Sequence, residues 1–124
     1  MRKIKGFTLI ELIVVMTIIS LLLTLAAPRY FRSIDKSKET VLKANLVATR
    51  DALDKFRADT GKYPTQLSDL VDKHYLRILP YDPIVDSSEA WVITPPGDGQ
   101  EGGVYNINSS AEGADADGVP YAQW

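Results

Sequence analysis

The chain has 124 residues, no cysteine and a formal net charge of −2 at pH 7. This length suits one small domain, and the lack of cysteine excludes disulfides and thiol catalysis. Nucleic-acid binding normally requires a basic surface, and the sequence has no basic excess. We therefore expect no nucleic-acid partner.

A long apolar segment, residues 7–27, carries a single charge, that of Glu11. Its 21 residues make about 31 Å of helix, which is enough to cross the hydrocarbon core of a membrane. A carboxylate there costs roughly 2.5 to 3.5 kcal/mol and is usually paired. A cut between Gly6 and Phe7 would create an α-amino group, which a neighbouring copy of the helix, offset along its axis, would present to Glu11.

Charge placement predicts the orientation of this segment. Arg2, Lys3 and Lys5 precede it, so the positive-inside rule places the N-terminus in the cytoplasm and the residues after Pro28 outside. Removal of residues 1–6 would leave 11 basic against 16 acidic residues, or −5 from side chains. A secretory signal has a shorter apolar core of about 7 to 15 residues, and a plain membrane anchor gives no reason for an embedded carboxylate.

A second helical stretch is predicted from about Arg29 to Thr60, with Gly61 as its stop. Pro28 removes a helical hydrogen bond, so we expect a kink or local melting around Leu23 to Pro28. Apolar residues spaced three, four and seven apart indicate an amphipathic helix. Its predicted packing side comprises Ile34, Val41, Leu42, Leu46, Val47, Leu53 and Phe56, and its solvated positions include Arg32, Lys36, Lys43, Arg50, Asp54 and Arg57.

Residues 62–124 are expected to form a small α/β part, which makes the whole chain α+β. The pattern predicts a short helix from about Gln66 to Lys73 and two antiparallel strands, Ala90–Thr94 and Gly103–Ile107, packed against the long helix. From Ile78 onward the sequence has eight acidic residues and no lysine or arginine.

The run from Lys5 to Glu11, Lys-Gly-Phe-Thr-Leu-Ile-Glu, closely resembles the class III leader and processing site of type IV pilins and of type II secretion pseudopilins. The resemblance implies a pilin-like fold. It also implies that a prepilin peptidase cuts after Gly6 and methylates the nitrogen of Phe7. Glu11 would be the assembly carboxylate, and Pro28 would accompany an extended segment in the assembled filament.

The later landmarks resemble the major pseudopilin of type II secretion: Lys62–Thr65, Leu79–Pro83, and the stretch from Val104 to Trp124. That subclass implies a homopolymeric periplasmic filament anchored in the bacterial inner membrane. Its implied partners are minor pseudopilins, the prepilin peptidase, an inner-membrane assembly platform and a cytoplasmic ATPase. Filament growth would help to export folded proteins across the outer membrane. The expected organisation is a leader (1–6), a membrane and assembly helix (7–28), an amphipathic helix (29–61) and the α/β part (62–124).

The same resemblance implies a calcium ion in the C-terminal loop. Calcium takes six to eight oxygen ligands, and the loop supplies Ser109, Asp115 and Asp117, with Glu112 behind them. The spacing is not that of an EF-hand. In the family an Asp-Gly-Gln loop usually follows the strand that contains a tyrosine. Here the corresponding residues, Asp98–Gly103, precede Tyr105. An acidic loop without metal is the alternative.

Two other functions stay open from the sequence. A surface type IV or competence pilin would share the long helix, but such pilins commonly close their C-terminal region with a disulfide, and cysteine is absent. A monomeric membrane-tethered module that binds a metal or a partner belongs to a different class. An enzyme is not expected, because the single histidine, His74, has no partner in the sequence for a catalytic or transition-metal site.

Overall fold

The computed structural model describes residues 2–124. A long helix α1 (Leu9–Thr60) is followed by a short helix α2 (Asp69–Asp72), two strands β1 (Trp91–Thr94) and β2 (Asn106–Ser109), and a 3-10 turn at Tyr121–Gln123. The predicted α+β class is confirmed. The chain divides into two compact units, one that runs to Lys36 and one formed by Ser37–Trp124.

The first unit consists of a short non-helical lead and the first half of α1. The helix begins at Leu9, two residues later than the predicted start, and is uninterrupted through Pro28. Of the two predicted alternatives around Leu23 to Pro28, local melting is therefore wrong, whereas a kink stays a prediction. Every side chain from residue 2 to residue 33 is exposed, so this half of the helix has no core of its own.

The second unit packs around a narrow stripe of α1. Leu42, Leu46, Leu53 and Phe56 are buried as predicted, and Thr49 and Ala52 join them. Positions spaced four, three, four and three apart lie on one helix face. Val41 and Val47 fall outside that face and are 47% and 66% exposed, so their predicted burial is wrong. Ile34 is half-buried, and Arg50, predicted to be solvated, is also half-buried.

The two strands form an antiparallel pair in which Trp91 lies opposite Ser109 and Ile93 opposite Ile107. The first strand agrees with the prediction to within one residue, but the second begins at Asn106 rather than Gly103. The amides of Gly103 and Val104 instead donate to the Pro64 oxygen at 2.9 and 3.0 Å. These residues therefore belong to the turn around Pro64.

Gly102 and Gly103 allow that turn to approach closely. A Cβ on Gly102 would lie 2.4 Å from the Tyr63 oxygen, and one on Gly103 would lie 2.1 Å from the Thr65 oxygen. Gly102 also has a φ of +125°, which side-chain-bearing residues rarely adopt. The glycine-rich stretch that precedes Tyr105 is thus packed against the turn that follows α1.

Helix α2 is shorter than its predicted span of Gln66 to Lys73. Only Asp69–Asp72 is helical, and the Asp69 carboxylate accepts from the amides of Thr65 and Gln66 at 3.0 and 3.2 Å. Those bonds hold the preceding residues in a turn, so the helix begins only at Asp69. Leu70 is completely buried against the core.

The observed helix face predicts a contrast between neighbouring positions. Leu46→Ala should lower the free energy of unfolding by about 2 to 5 kcal/mol, because it opens a cavity in the core. Val47→Ala removes fewer atoms from an exposed site and should cost less than about 1 kcal/mol. Denaturant unfolding of the detergent-solubilised chain, followed by tryptophan fluorescence, would measure both. Equal losses in the two variants would contradict this helix orientation.

Candidate assembly site at the start of the long helix

Thr8 and Glu11 form a reciprocal cap at the start of α1. The amide and hydroxyl of Thr8 donate to Glu11 Oε2 at 2.8 and 3.0 Å, and the Glu11 amide donates to Thr8 Oγ1 at 3.2 Å. This is the capping-box arrangement, in which two residues at the ends of a four-residue spacing satisfy each other's backbone donors. Both bonds to the carboxylate use Oε2, so Oε1 faces no hydrogen-bond donor within the described residues.

The cap gives Glu11 a second reason for its position. The sequence-based prediction for Glu11 concerned its charge and its pairing with the amino group of another subunit. Thr-x-x-Glu before an apolar run is in addition a signal for a helix start. The negative charge also lies in the first helical turn, where the helix dipole favours it. The local cap and a bond to another molecule are compatible because they use different oxygens.

The predicted processing site lies just before the cap, in a non-helical segment. Gly6 and Phe7 precede the first helical residue, and Phe7 is 89% exposed. A Cβ placed on Gly6 would meet no atom within 4 Å. The bond between the two residues is therefore open to an approaching protein, and it lies next to the Thr8 amide that Glu11 already binds.

The apolar half of α1 satisfies its own polar groups. The hydroxyls of Thr17, Ser20 and Thr24 each donate to the carbonyl four residues earlier at 2.8 Å. Such bonds remove the need for water or a partner in an apolar medium. Among residues 2–124, α1 is the one helix with the length and apolar composition needed to cross a membrane.

Ser109 and Asp115, two of the four residues predicted to bind calcium, already have hydrogen-bond partners in the chain. Ser109 is completely buried, and its hydroxyl donates to Asp82 Oδ2 at 2.5 Å and accepts from the Ala111 amide at 3.1 Å. Asp115 Oδ1 accepts from the amides of Asp117 and Val119, both at 2.9 Å.

Glu112 and Asp117 are exposed, and no group of three or more His, Asp or Glu side chains within residues 2–124 is arranged to hold a metal. The predicted donor set does not fit a calcium ion in this arrangement, so calcium binding stays a prediction that these contacts do not support.

Asp82 is a buried carboxylate whose role the sequence did not reveal. Its side chain is completely buried. Oδ1 accepts from the amides of Ile84 and Val85 at 2.9 and 3.4 Å, and Oδ2 accepts from Ser109. Its main chain also forms a bridge with Ser87. Asp82 thus ties the loop after α2 to strand β2. Asp-Pro before a turn was the available signal.

The first 27 residues match the family model described as the prokaryotic N-terminal methylation motif. The chain is 32% identical to the type II secretion system core protein G of Klebsiella michiganensis, over 94% of this chain and 86% of that protein. Core protein G of Vibrio cholerae is 32% identical over 83% of this chain and 87% of that protein. The chain belongs to the type II secretion core protein G family. The Escherichia coli K12 member is 31% identical, over 87% of this chain. No solved structure gives a significant match.

The predicted processing site and the cap are adjacent in the chain. Residues 6–11 lie inside the matched methylation motif, and the same residues form the exposed lead and the capping box. In this chain, therefore, the segment that is predicted to be cut and the carboxylate that is predicted to direct assembly are joined by Thr8.

Removal of the Thr8 hydroxyl should loosen the helix start. In Thr8→Val the Glu11 amide loses its acceptor, so exchange of the Glu11 and Leu12 amides should quicken by about fivefold, equivalent to a cap worth about 1 kcal/mol. Thr17→Val is the matched control, because that hydroxyl binds a carbonyl within the helix. Hydrogen exchange in detergent micelles measures both. Unchanged exchange in Thr8→Val would show that the cap does not form.

Asp82 should matter far more than an exposed acid of the same type. Asp82→Ala leaves the Ser109 hydroxyl and two amides without their buried acceptor, and should lower the free energy of unfolding by about 2 to 4 kcal/mol. Asp98→Ala changes an exposed loop residue and should alter it by less than about 0.5 kcal/mol. Denaturant unfolding monitored by tryptophan fluorescence distinguishes the variants, and similar midpoints would contradict the structural role.

Proposed function

We propose that this chain is a structural subunit that polymerises into the periplasmic pseudopilus of a type II secretion system. The observation that carries the proposal is the first half of α1: an exposed apolar helix with one carboxylate, directly after the cleavage motif. A soluble monomer would not leave so much apolar surface uncovered. Lipid covers it before assembly, and other copies of the helix cover it in the filament.

Processing is the first step of this proposal. A prepilin peptidase cuts between Gly6 and Phe7 and methylates the new amino group. The non-helical and exposed lead supports access to that bond. The cut removes Arg2, Lys3 and Lys5, the residues that favour a cytoplasmic N-terminus. The processed chain therefore lacks these three basic residues, and its N-terminal residue, Phe7, carries an ammonium group.

Pairing between subunits is the second step. The new ammonium group of one subunit binds Glu11 of another, and Oε1 is the oxygen that accepts, because the cap occupies Oε2. In an apolar environment, removal of either partner of a charged pair leaves the other charge unpaired, which is energetically costly. The pair therefore fixes the axial offset between neighbouring helices, in addition to its contribution to affinity.

Family membership supports the remaining parts of the proposal. The chain is anchored in the inner membrane by a single span, with its N-terminus in the cytoplasm and residues after Pro28 in the periplasm. A cytoplasmic ATPase and a polytopic assembly protein add subunits, and minor pseudopilins share the filament. Its growth helps to move folded proteins across the outer membrane. The subunit itself performs no catalysis.

Glu11→Gln tests the pairing step. The amide keeps the size of the side chain and removes its charge, so the precursor should still insert and be cut, but cross-linked oligomers in membranes should fall by at least about tenfold. Glu89→Gln changes an exposed acid of the second unit, Ser37–Trp124, which we call the distal unit. It should leave the ladder of cross-linked oligomers intact. Immunoblots of cross-linked membranes report processing and oligomers on the same gel.

Two results would contradict the proposal. A normal ladder in Glu11→Gln would remove the pairing step. A wild-type chain that stays monomeric when its secretion partners are present would favour a membrane-tethered binding module instead.

A further inference from the structure

Arg50 joins three parts of the distal unit. Its Nε donates to Asn106 Oδ1 at 2.8 Å, and Nη2 donates to the main-chain oxygens of Ile107 and Trp124 at 2.9 and 2.5 Å. Helix α1, strand β2 and the last residues of the chain thus meet at one guanidinium group. Arg50 is half-buried, so these bonds are shielded in part from water.

The chemistry of this junction requires arginine. A guanidinium group is planar and presents several N–H donors in fixed directions, whereas a lysine ammonium is a single charged point. One arginine can therefore hold a side-chain oxygen and two main-chain oxygens at once. All three acceptors are oxygen atoms, and oxygen atoms are also the ligands through which a calcium ion would hold a loop.

Further contacts hold the closing segment, residues 110–124, against the same side of α1. The Tyr121 hydroxyl donates to Glu39 Oε1 at 2.7 Å, and the Lys43 ammonium lies 4.3 Å from the centre of the Trp124 ring. Glu39, Lys43 and Arg50 are spaced four and seven apart, which places them on one helix face. The Tyr121 and Trp124 rings pack edge to face at 5.1 Å.

Strand β2 adds a second attachment. Asn108 Nδ2 donates to the main-chain oxygens of Ala122 and Trp124 at 3.2 and 2.7 Å. Within the closing segment itself, Asp115 accepts from two amides and the Tyr121 amide donates to the Gly113 oxygen at 3.2 Å. The segment is therefore held at its end by Arg50 and Asn108, and in its middle by the Asp115 side chain and by its own backbone.

We infer that Arg50 closes the C-terminal segment by direct hydrogen bonds, so that this segment keeps its folded conformation without a divalent cation. The contacts that carry this inference are those of Arg50, Asn108, Lys43 and Glu39. They supply the closure that a metal supplies where a loop is held by ligation. The poor fit of Ser109 and Asp115 to a calcium ion agrees with this arrangement. The inference does not depend on filament assembly.

The test follows opening of the closing segment in the full-length processed chain in detergent micelles. A glutamate-specific protease cuts after Glu112, which is exposed, and mass spectrometry identifies that cut. The rate is compared in excess EGTA and in 1 mM calcium chloride. For the wild type we expect equal rates in the two conditions.

Arg50→Lys keeps the charge but cannot reach all three acceptors, so the cut after Glu112 should be about tenfold faster in both conditions. Arg77→Lys makes the same change at an exposed arginine and should leave the rate unchanged. Hydrogen exchange of the α1 amides from Leu46 to Phe56 shows whether the core stays folded in each variant.

Asn108→Ala provides a second variant if Arg50→Lys loses core protection as well. It removes the two bonds from Asn108 Nδ2 and should also speed the cut in both conditions. Calcium that slows cleavage of the wild type by tenfold or more would overturn the inference. Wild-type rates in Arg50→Lys or, where the core of that variant unfolds, in Asn108→Ala would overturn it too. None of these outcomes bears on the cross-linking ladder, so the inference and the proposed assembly can fail separately.

Discussion

The rest of the molecule depends on the first half of α1, an apolar helix that its own chain leaves uncovered. All side chains from residue 2 to residue 33 are exposed. Burial of apolar surface is the main favourable term in folding and association, so this surface requires lipid or further copies of the helix. Its internal polar groups are already satisfied by Thr17, Ser20 and Thr24. What distinguishes it from an ordinary anchor is Glu11, whose one oxygen caps the helix and whose other oxygen is directed to no donor of the described chain.

The distal unit has no cysteine, so its long loops are held against α1 and β2 without disulfides. Its core rests on a narrow stripe of α1 around Leu42, Leu46 and Leu53, together with Leu70 and Ile107. Around that core, buried or half-buried polar groups act as ties. Asp82 joins the loop after α2 to β2, and Arg50 joins α1 to β2 and to the closing segment. Each tie satisfies several polar groups at once, which is the condition under which burial of a charge is tolerated.

Much of this could be predicted from the sequence, and the failures have physical causes. The end of α1 at Thr60 follows from Gly61, and the embedded Glu11 pointed to the family. The melting at Pro28 was predicted from proline chemistry, but the helix continues around it. Val41 and Val47 are apolar without lying on the packing face, because a stripe this narrow admits only some of the apolar positions. The start of β2 was misplaced because Gly103 and Val104 bond to the turn at Pro64. The role of Arg50 could not be found from the sequence, since its partners lie 56 to 74 residues away. For Asp82 the sequence indicated only the turn at Asp82-Pro83, because Ser109, which Asp82 binds in β2, lies 27 residues away.

The central claim is that Glu11 of one subunit binds the amino group of another. Solid-state NMR on filaments assembled from two labelled populations tests it directly, with 15N-phenylalanine in one and 13C-glutamate in the other. The α-amine of Phe7 is distinguishable from the amides of Phe31 and Phe56. The account predicts a dipolar coupling between that nitrogen and the Glu11 carboxylate carbon, at a separation of about 4 Å or less. Well-ordered filaments in which this nitrogen couples to no glutamate of the other population would contradict it.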